Sequence, residues 1–299
     1  MKIRMTPSEI NICLVGDGMD LPGIAICLGK AGHKVNILEE NLPQTVLSGE
    51  CSAIPNIRMK QDFSALKQAH IVIANTTENL EIKKQLLAKI HPYIDEKPLI
   101  AINMESYQLK DLQEAFPCPE RLIGLNWVYP AHQTFFLEVI TNDLTKAAPV
   151  EELIELAKEK WGKDPYLLKG GKGIRSRLMA AMARESFHLI DNGYAEVIDI
   201  DRACRNDPGY YLSFAGNCRY MDLMGTFLYG VVMKDLNPEL SRATGPSKLM
   251  EMKLKEGKTG MNSGEGFYHY QEIQKETFEK DFLKFSEIIK ELMEKYPFK

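Results

Sequence analysis

The sequence predicts an α/β fold with a doubly wound parallel sheet, followed by an all-helical C-terminal domain. Three observations predict this organisation. Short apolar runs alternate with helical stretches in the first half, a glycine turn follows the first run, and strand patterns stop near Gly173. Strands that alternate with helices are typical of a parallel sheet. Because glycines punctuate the chain at 169–173, we expect domains at residues 1–172 and 173–299.

The hydrophobic period of each segment predicts the individual elements. Apolar runs of strand length occur at residues 10–15, 34–38, 71–74, 99–103, 122–125 and 135–140. Helical spacing occurs at residues 22–31, 79–90, 174–191 and 278–296. The last of these segments has one apolar face, made of Phe282, Phe285, Ile288, Ile289 and Leu292. We expect an exposed apolar helix face of this domain to form the surface of a homodimer.

Composition and charge restrict the classes of function. The chain has 299 residues, of which 44% are hydrophobic and 26% charged, and its formal net charge is −4. This balance gives no reason to expect a nucleic-acid or membrane partner, and the apolar runs are far shorter than a membrane span. We expect no signal peptide, because no apolar stretch follows the basic N-terminus before Asn11. The six cysteines include no CxxC pair, so we expect reduced thiols in a cytoplasmic protein.

A glycine turn at the end of the first strand carries the strongest functional signal. Gly16 and Gly18 follow the strand, a helix comes next, and Glu39 closes the second strand about twenty residues later. Glycines let the backbone approach a pyrophosphate, the helix N-terminus faces it, and the acid binds ribose hydroxyls. This arrangement is of the Rossmann type, and the acid favours NAD over NADP. We expect NAD to contact Gly16, Gly18, Met19, Gly23, Glu39, Asn75 and Asn103.

The glycine turn departs from the full pattern in two ways. Leu21 stands at the third glycine position, with Gly23 two residues later. Asp17 and Asp20 place negative charge beside the expected phosphates, which opposes the attraction of the helix dipole. The alternative interpretation is a Rossmann protein that no longer binds NAD well. A methyltransferase with a similar turn and acid fits the rest of the chain less well.

Six further segments, in their order along the chain, resemble the L-3-hydroxyacyl-CoA dehydrogenase family. They are residues 23–25, 78–83, 124–130, 136–140, 177–201 and 264–268. The resemblance extends over about residues 11–270. It implies a Rossmann domain followed by a helical dimerisation domain, with the active site in the cleft between them.

The resemblance also implies a catalytic pair of histidine and glutamate, in which the histidine takes the hydroxyl proton while a hydride passes to NAD. The glutamate is present as Glu138, but the histidine position is Asn126, whose amide takes no proton near neutral pH. The family's asparagine in the same segment corresponds to Tyr129. The family's serine falls near Glu105, and the asparagine that opens the long second-domain helix corresponds to Ser176. The family's mechanism therefore cannot operate here unchanged.

Three groups are candidates for a replacement base, and each has a structural alternative. His132 lies in the same segment, although a loop histidine near the surface is the simpler interpretation. Tyr129 could act as a phenol if a cation such as Lys172 stands beside it, or it is a wall of the cleft. Glu105 and Glu138 would raise each other's pKa if they face one cleft. Otherwise Glu105 is an acid that compensates a helix dipole.

The substrate is expected to be small. In the family that the chain resembles, a long helical hairpin after the second strand contacts CoA. Here only about thirty residues, with two prolines among them, separate Glu39 from the strand at 71–74, so much of the hairpin is missing. Lys172 and Arg175 are candidates to hold a substrate carboxylate, unless they are simply solvated charges.

The sequence therefore predicts an NAD-dependent oxidoreductase that acts on the CH–OH group of a small hydroxy or oxo acid. Its acid–base site is expected at Glu138, Asn126, Tyr129, Glu105, Ser176 and His132, with no metal ligand. The alternative function is a catalytically silent Rossmann protein that serves as a ligand-sensing or structural subunit.

Overall fold

The computed structural model describes residues 6–38, 49–95 and 97–298. The chain forms two compact units, Met1–Ser176 and Arg177–Lys299. They are called the sheet unit and the helical unit below. The boundary expected after residue 172 stays a prediction.

Eight strands form the centre of the sheet unit. They are β1 (Asn11–Val15), β2 (Lys34–Leu38), β3 (Ile57–Lys60), β4 (Ile71–Ala74), β5 (Leu99–Ile102), β6 (Leu122–Asn126), β7 (Phe136–Ile140) and β8 (Asp164–Leu168). Their order is β3-β2-β1-β4-β5-β6-β7-β8. The chain moves outwards in both directions from β1 and β4, and ligands of such sheets bind beyond the carboxyl ends of the strands at this point.

Six of the seven described strand pairings are parallel, and the pairing of β6 with β7 is antiparallel. Parallel neighbours need a crossover, usually a helix, whereas only residues 127–135 connect β6 to β7. The sheet is therefore mostly rather than wholly parallel. The antiparallel register sets Asn126 directly opposite Glu138.

Helices cover both faces of this sheet. They are α1 (Leu21–Lys30), α2 (Leu80–Ile90), α3 (Leu109–Gln113) and α4 (Ala147–Lys160). One apolar cluster contains residues of α1 and α4, and a second contains residues of α2 and α3. Successive residues of β1, Leu14 and Val15, belong to different clusters, as expected for a strand buried on both faces. The predicted doubly wound α/β fold is confirmed.

Several elements lie outside the set that the sequence predicts. The edge strands β3 and β8 were not expected, and neither were α3 and α4. The described part of the connection between β2 and β4, residues 49–70, contains β3 and two 3-10 helices, Gly49–Ala53 and Phe63–Gln68. No α-helix occurs in this described stretch.

The second part of the chain is helical, as predicted. Its helices are α5 (Arg175–Asp191), α6 (Val197–Asn206), α7 (Pro208–Met224), α8 (Thr226–Leu236), α9 (Lys248–Lys255) and α10 (Glu272–Lys295). Extended structure within residues 177–298 is limited to isolated bridges that join Glu265 to Gly260 and His269. Ala215 is the one described apolar residue of the helical unit that is buried. The apolar face of α10 is exposed, and Phe285 shows 58% of its surface.

Three further findings concern ions, membranes and thiols. Among the described residues, no helix has the length and apolar character to cross a bilayer. No cluster of three or more His, Cys, Asp or Glu residues in the same ranges is placed to hold a metal ion. None of the six cysteines, all within the described residues, forms a disulfide, and burial raises the pKa of the Cys13 thiol to about 12.

Candidate active site

Polar residues gather at the carboxyl edge of the sheet. Gly16 follows β1, Asn75 follows β4, Asn103 follows β5 and Asn126 ends β6. These strands are parallel neighbours, so the residues that follow them lie along one edge. Doubly wound sheets bind their ligands at this edge, which makes it the candidate site.

The glycine turn packs directly against Asn75. Gly16 has a φ of +114°, and a Cβ on it would lie 2.2 Å from the Asn75 carbonyl oxygen. A Cβ on Gly18 would lie 1.5 Å from the Asn75 side-chain oxygen, and the Gly18 N–H donates to the Asn75 carbonyl over 3.0 Å. A side chain at either position would collide with Asn75. The two glycines therefore hold the turn against the end of β4.

The acidic residues of the turn, Asp17 and Asp20, interact with two neighbouring groups. The Thr76 hydroxyl donates to Asp17 Oδ1 over 2.6 Å. Burial raises the pKa of Asp20, although the Arg175 cation opposes this shift. Thr76 and Arg175 thus place a hydrogen-bond donor and a positive charge beside the acids that the sequence expects to repel the phosphates. Met19, also in this turn, is exposed.

Gly23 allows the connection between β6 and β7 to approach the first turn of α1. A Cβ on Gly23 would lie 3.2 Å from the Ala131 Cβ and 3.4 Å from His132 Nδ1. Close packing is the role of the third glycine in a Rossmann turn, so Gly23 serves that role from a displaced position. His132 is half-buried and flanks α1.

A cavity of about 250 Å³ opens beside the glycine turn. Leu38, Phe63 and Leu86 contribute apolar walls, and Asp17 and Thr76 contribute polar groups. Apolar walls with a few polar groups suit a flat base joined to a sugar. The residues present therefore fit the adenosine half of NAD. Glu39, predicted to bind the ribose, lies outside the described residues.

Lys83, in α2, is a fully buried cation near this edge. Its Nζ lies 3.1 Å from Glu78 Oε2 and donates to Asn103 Oδ1 over 3.0 Å. Burial lowers the pKa of Lys83, and the Glu78 charge opposes this shift. Asn103 also accepts from the Thr76 N–H and donates to the Thr76 carbonyl, over 3.0 and 2.7 Å. The network therefore fixes Thr76, a wall of the cavity.

Glu78 joins this network to the loop after β5. Its Oε1 accepts from the backbone N–H groups of Glu105 and Ser106 over 2.9 and 2.8 Å, and from the Ser106 hydroxyl over 2.9 Å. Burial alone would raise the pKa of Glu78, but these donors and Lys83 lower it overall. Glu78 thus remains ionised and holds the backbone of Glu105 in place.

Asn126 uses its whole amide to bind its surroundings. Its Oδ1 accepts from the Met104 N–H over 2.8 Å, and its Nδ2 donates to the Met104 carbonyl over 2.7 Å and to Glu138 Oε2 over 2.8 Å. The side chain therefore ties β6 to the loop after β5 and to the carboxylate on β7.

Glu138 is completely buried and accepts four hydrogen bonds. Besides Asn126, the Tyr166 hydroxyl donates to Oε1 over 2.9 Å, and the N–H groups of Ile174 and Arg175 donate over 2.9 and 3.2 Å. Helix N-termini present unsatisfied N–H groups and favour an anion, so Glu138 caps the start of α5. A Cβ on Gly173 would lie 2.4 Å from Glu138 Oε2, which explains the glycine there.

Glu105 stands beside this capped helix start. Arg175 Nη1 donates to Glu105 Oε1 over 2.8 Å, and the Ser176 hydroxyl donates to the Glu105 carbonyl over 2.7 Å. The Glu105 side chain is 29% exposed. Burial raises the pKa of Glu105, Arg175 opposes the shift, and the charge of Glu138 adds to it.

Hydrogen bonds thus connect four of the predicted catalytic residues, Glu105, Asn126, Glu138 and Ser176, directly or through neighbouring backbone. Tyr129 lies on the connection between β6 and β7 and is 39% exposed. The same connection carries His132 and is fastened by buried Lys163, whose Nζ donates to the carbonyls of Ala131 and Thr134.

The contacts of Glu138 and Glu105 give these two carboxylates different chemical roles. Glu138 is completely buried, and it accepts three hydrogen bonds at Oε1 and one at Oε2. It is therefore suited to hold structure rather than to receive a substrate proton. Glu105 is partly exposed and has a raised pKa, which is the environment that tunes a carboxyl group for acid–base work.

Thr76, Glu78, Lys83 and Tyr166 belong to the site but were not predicted from the sequence. Tyr166 faces Glu138 because β8 pairs with β7 in that register, and this register is visible only once β8 is recognised. Burial and the Glu138 charge raise the pKa of Tyr166, so it stays a neutral donor. Lys83 could have been found from the sequence, because its spacing places it on the same buried face of α2 as Leu87 and Ile90.

The fold and this site together define a class. A Rossmann sheet with an adenosine-sized cavity beside its glycine turn, and with ionisable groups at the ends of β5 and β6, is the framework of an NAD-dependent oxidoreductase.

Comparisons with known proteins give the family. The family model of the 3-hydroxyacyl-CoA dehydrogenase NAD binding domain matches residues 39–170, and that of the C-terminal domain matches residues 174–270. The chain belongs to the 3-hydroxyacyl-CoA dehydrogenase family, and NAD is its cofactor.

Individual relatives are similar over most of the chain. A 5-formyl-3-hydroxy-2-methylpyridine 4-carboxylate 5-dehydrogenase of Mesorhizobium japonicum is 26% identical over 87% of this chain and 90% of its own length. Human mitochondrial hydroxyacyl-coenzyme A dehydrogenase is 27% identical over 87% and 91%. A solved structure of a dehydrogenase for the same pyridine acid superposes with a TM-score of 0.86, at 24% identity over 95% of this chain and 98% of its own. This superposition supports the fold.

Proposed function

We propose that this protein is an NAD-dependent dehydrogenase or reductase that interconverts the hydroxyl and carbonyl groups of a small hydroxy or oxo acid, with Glu105 as its acid–base residue. One observation carries the proposal. A glutamate with a raised pKa, paired with Arg175, stands where the family resemblance places a serine, while the amide at the family's histidine position, Asn126, is fully engaged.

The proposed chemistry follows from the protonation of Glu105. In the oxidation direction the ionised carboxylate takes the proton of the substrate hydroxyl, and the carbonyl forms as the hydride leaves the same carbon. Bound NAD supplies the acceptor for that hydride. In reduction, protonated Glu105 returns the proton to the carbonyl oxygen. Glu138 and Asn126 position the loop after β5, and Ser176 holds the Glu105 backbone.

The proposal of a small substrate is supported by the connection between β2 and β4. The resemblance places a CoA-binding helical hairpin there, whereas the described residues 49–70 contain only β3 and short 3-10 helices. The name of the Mesorhizobium relative, which is a dehydrogenase of a pyridine carboxylate, also supports a small acid. We propose that Tyr129 and His132 line the substrate space.

The remaining assignments of cofactor residues and assembly are part of the same proposal. NAD is proposed to contact Gly16, Gly18, Met19, Gly23, Glu39, Asn75 and Asn103. The helical unit is proposed to pair with a second copy of the chain, because its large apolar side chains are mostly exposed and a unit without a buried core needs a partner. Six cysteines that form no disulfide support the proposal of a cytoplasmic location.

Absorbance of NADH at 340 nm during incubation with small hydroxy and oxo acids tests the function. We expect turnover by the native protein and a loss of about 100- to 10,000-fold in kcat for Glu105→Gln, the range for removal of an acid–base group. Glu114→Gln, on an exposed side chain, is the matched control and should retain full activity. Unchanged turnover by Glu105→Gln would exclude Glu105, and NADH binding without any turnover would favour the silent subunit.

The pH profile of the same assay has a defined sign. Oxidation requires ionised Glu105, and burial raises its pKa above the ordinary value of 4.5. We therefore expect kcat/KM for oxidation to fall as the pH decreases through this raised pKa. A profile that remains flat across the acidic range would contradict the assignment.

A further inference from the structure

We infer that Arg175 binds the carboxylate of the substrate, and that this binding releases Glu105 from its ion pair so that it can act as the base. The inference rests on the proposed function, because it gives that function's acid substrate a binding residue. It also gives a reason for the ion pair between Arg175 and Glu105 at this site.

Arg175 is held in place by its backbone. It is the first residue of α5, and its N–H donates to the buried carboxylate of Glu138 over 3.2 Å. Ile174, the preceding residue, donates to the same oxygen. The base of the side chain is therefore fixed on the sheet, while its guanidinium extends to the partly exposed Glu105. A fixed guanidinium loses little freedom when it binds a planar anion.

The guanidinium stands near two carboxyl groups, those of Glu105 and Asp20. It donates through Nη1 to Glu105 Oε1, and its charge acts on Asp20 at the start of α1. Arginine carries five N–H donors in a fork that fits a carboxylate with two parallel hydrogen bonds. The Arg175 side chain is 35% exposed. A small acid can therefore reach donors that the single bond to Glu105 does not use.

Glu105 is suited to being displaced. Burial raises its pKa, so its charged form is less favourable there than in water. When the substrate's carboxylate binds Arg175, the Glu105 side chain can leave the guanidinium. Its backbone stays fixed, because Glu78 accepts from its N–H and Ser176 donates to its carbonyl. The carboxylate then remains at the site as a free proton acceptor.

The structure distinguishes Arg175 from Lys172, the other basic candidate of this segment. Lys172 is exposed, whereas Arg175 is half-buried and linked to both Glu105 and Glu138. An exposed ammonium is well hydrated and selects an anion poorly. Lys172 is consequently the matched control for the removal of a positive charge.

Calorimetry on NADH-saturated protein tests the inference without turnover. The probes are two acids with their neutral amides, namely pyridine-4-carboxylate with pyridine-4-carboxamide and acetoacetate with acetoacetamide. We expect the native protein to prefer at least one acid over its amide. Arg175→Gln should weaken acid binding by roughly 10- to 100-fold, as for a lost charge-assisted hydrogen bond, and leave the amide unchanged. The affinity of Arg175→Lys for the acid should lie between those of the native protein and of Arg175→Gln. Lys172→Gln should bind the acid with native affinity.

Glu105→Gln provides a readout that a merely structural role of Arg175 would not change. If Glu105 competes with the substrate for Arg175, its neutralisation should tighten acid binding several-fold while amide binding stays constant. Equal acid-to-amide ratios in the native protein and Arg175→Gln, or no preference for either acid, would overturn the inference. Arg175-dependent acid binding without NADH-linked turnover would instead overturn the proposed function and leave the binding site standing.

Discussion

The sheet unit and the helical unit bury their apolar side chains to very different extents. Every described buried apolar residue lies in the sheet unit except Ala215, whereas the exposed large apolar residues are concentrated in the helical unit. Both units are rich in apolar side chains, so composition does not separate them. The difference teaches that the sheet unit contains its own core, while the helical unit has an exposed apolar surface of the kind typical of interaction sites.

The two tryptophans make this comparison measurable. Trp127 and Trp161 both lie in the sheet unit, stacked with their ring centroids 5.8 Å apart, and the sequence contains no other tryptophan. Tryptophan fluorescence therefore reports the unfolding of the sheet unit. The helical signal in circular dichroism includes α5 to α10, so it reports mainly on the helical unit when the two transitions differ.

Removal of Glu138 should have the largest effect on the sheet unit. Glu138→Ala removes the acceptor of one buried donor, the Asn126 amide, and of three partly buried donors, and buried unsatisfied groups cost about 1–3 kcal/mol each. We expect the free energy of unfolding from tryptophan fluorescence in urea to fall by at least about 3 kcal/mol. Glu138→Gln retains one acceptor oxygen and should lose less.

Glu155→Ala is the matched control for this variant. Glu155 is an exposed glutamate of α4, so its replacement should change the same free energy by less than about 0.5 kcal/mol. If Glu138→Ala unfolds at the urea concentration of the native protein, Glu138 does not cap α5 in the way that its contacts indicate.

The second prediction concerns the exposed face of α10. Phe285→Glu together with Ile288→Glu places two charges on an apolar face where both native side chains are more than half exposed. We expect the native chain to sediment as a dimer and the variant to sediment as a monomer of 33.9 kDa. The helical transition should move to lower urea, while the fluorescence transition should move much less.

Lys284→Glu, on the same helix, introduces a charge change at an exposed polar position and should remain dimeric. A native protein that sediments only as a monomer would remove the proposed second copy. The exposed apolar side chains of the helical unit would then need another explanation.

The sequence predicted the centre of the sheet better than its edges. The inner strands are continuous apolar runs because both faces are buried. β3 has a largely exposed pattern, and β8 contains Pro165, so neither shows a run of this kind. α4 did carry a helical pattern in its buried Val150, Leu153 and Ala157, and its absence from the predicted set is an error of interpretation.

In the candidate site, too, some contacts could be predicted from the sequence and others could not. The pairing of Asn126 with Glu138 was foreseeable, because the family resemblance names both positions. The capping of α5 by Glu138 was not, because it depends on where Gly173 and Ile174 lie in the fold. Burial of Lys83 depends on the partners Glu78 and Asn103, which come from different parts of the chain. Hydrophobic periodicity cannot supply such partners.

The smallest expected effect concerns the charge networks of the two units. In the sheet unit, backbone donors and Lys83 lower the pKa of Glu78 against the effect of burial. A carboxyl whose folded pKa lies below its unfolded value stabilises the fold above the unfolded pKa, and this contribution disappears as the pH falls through the folded pKa. The stabilising effect of Glu78 should therefore be present above about pH 4.5 and be lost in more acidic solution.

Glu78→Gln removes this dependence. We expect its fluorescence-detected free energy of unfolding to lie about 1 kcal/mol below the native value at neutral pH, the typical net contribution of a hydrogen bond. The difference should shrink as the pH decreases below 4.5. Glu265→Gln is the control from the helical unit, where Lys258 and Lys253 lower the pKa of a half-buried carboxylate. Its effect should be confined to the helical transition, because the group lies outside the core that the tryptophans report. A difference for Glu78→Gln that is independent of pH would show that the lost hydrogen bonds, rather than the ionised Glu78, stabilise this edge of the sheet.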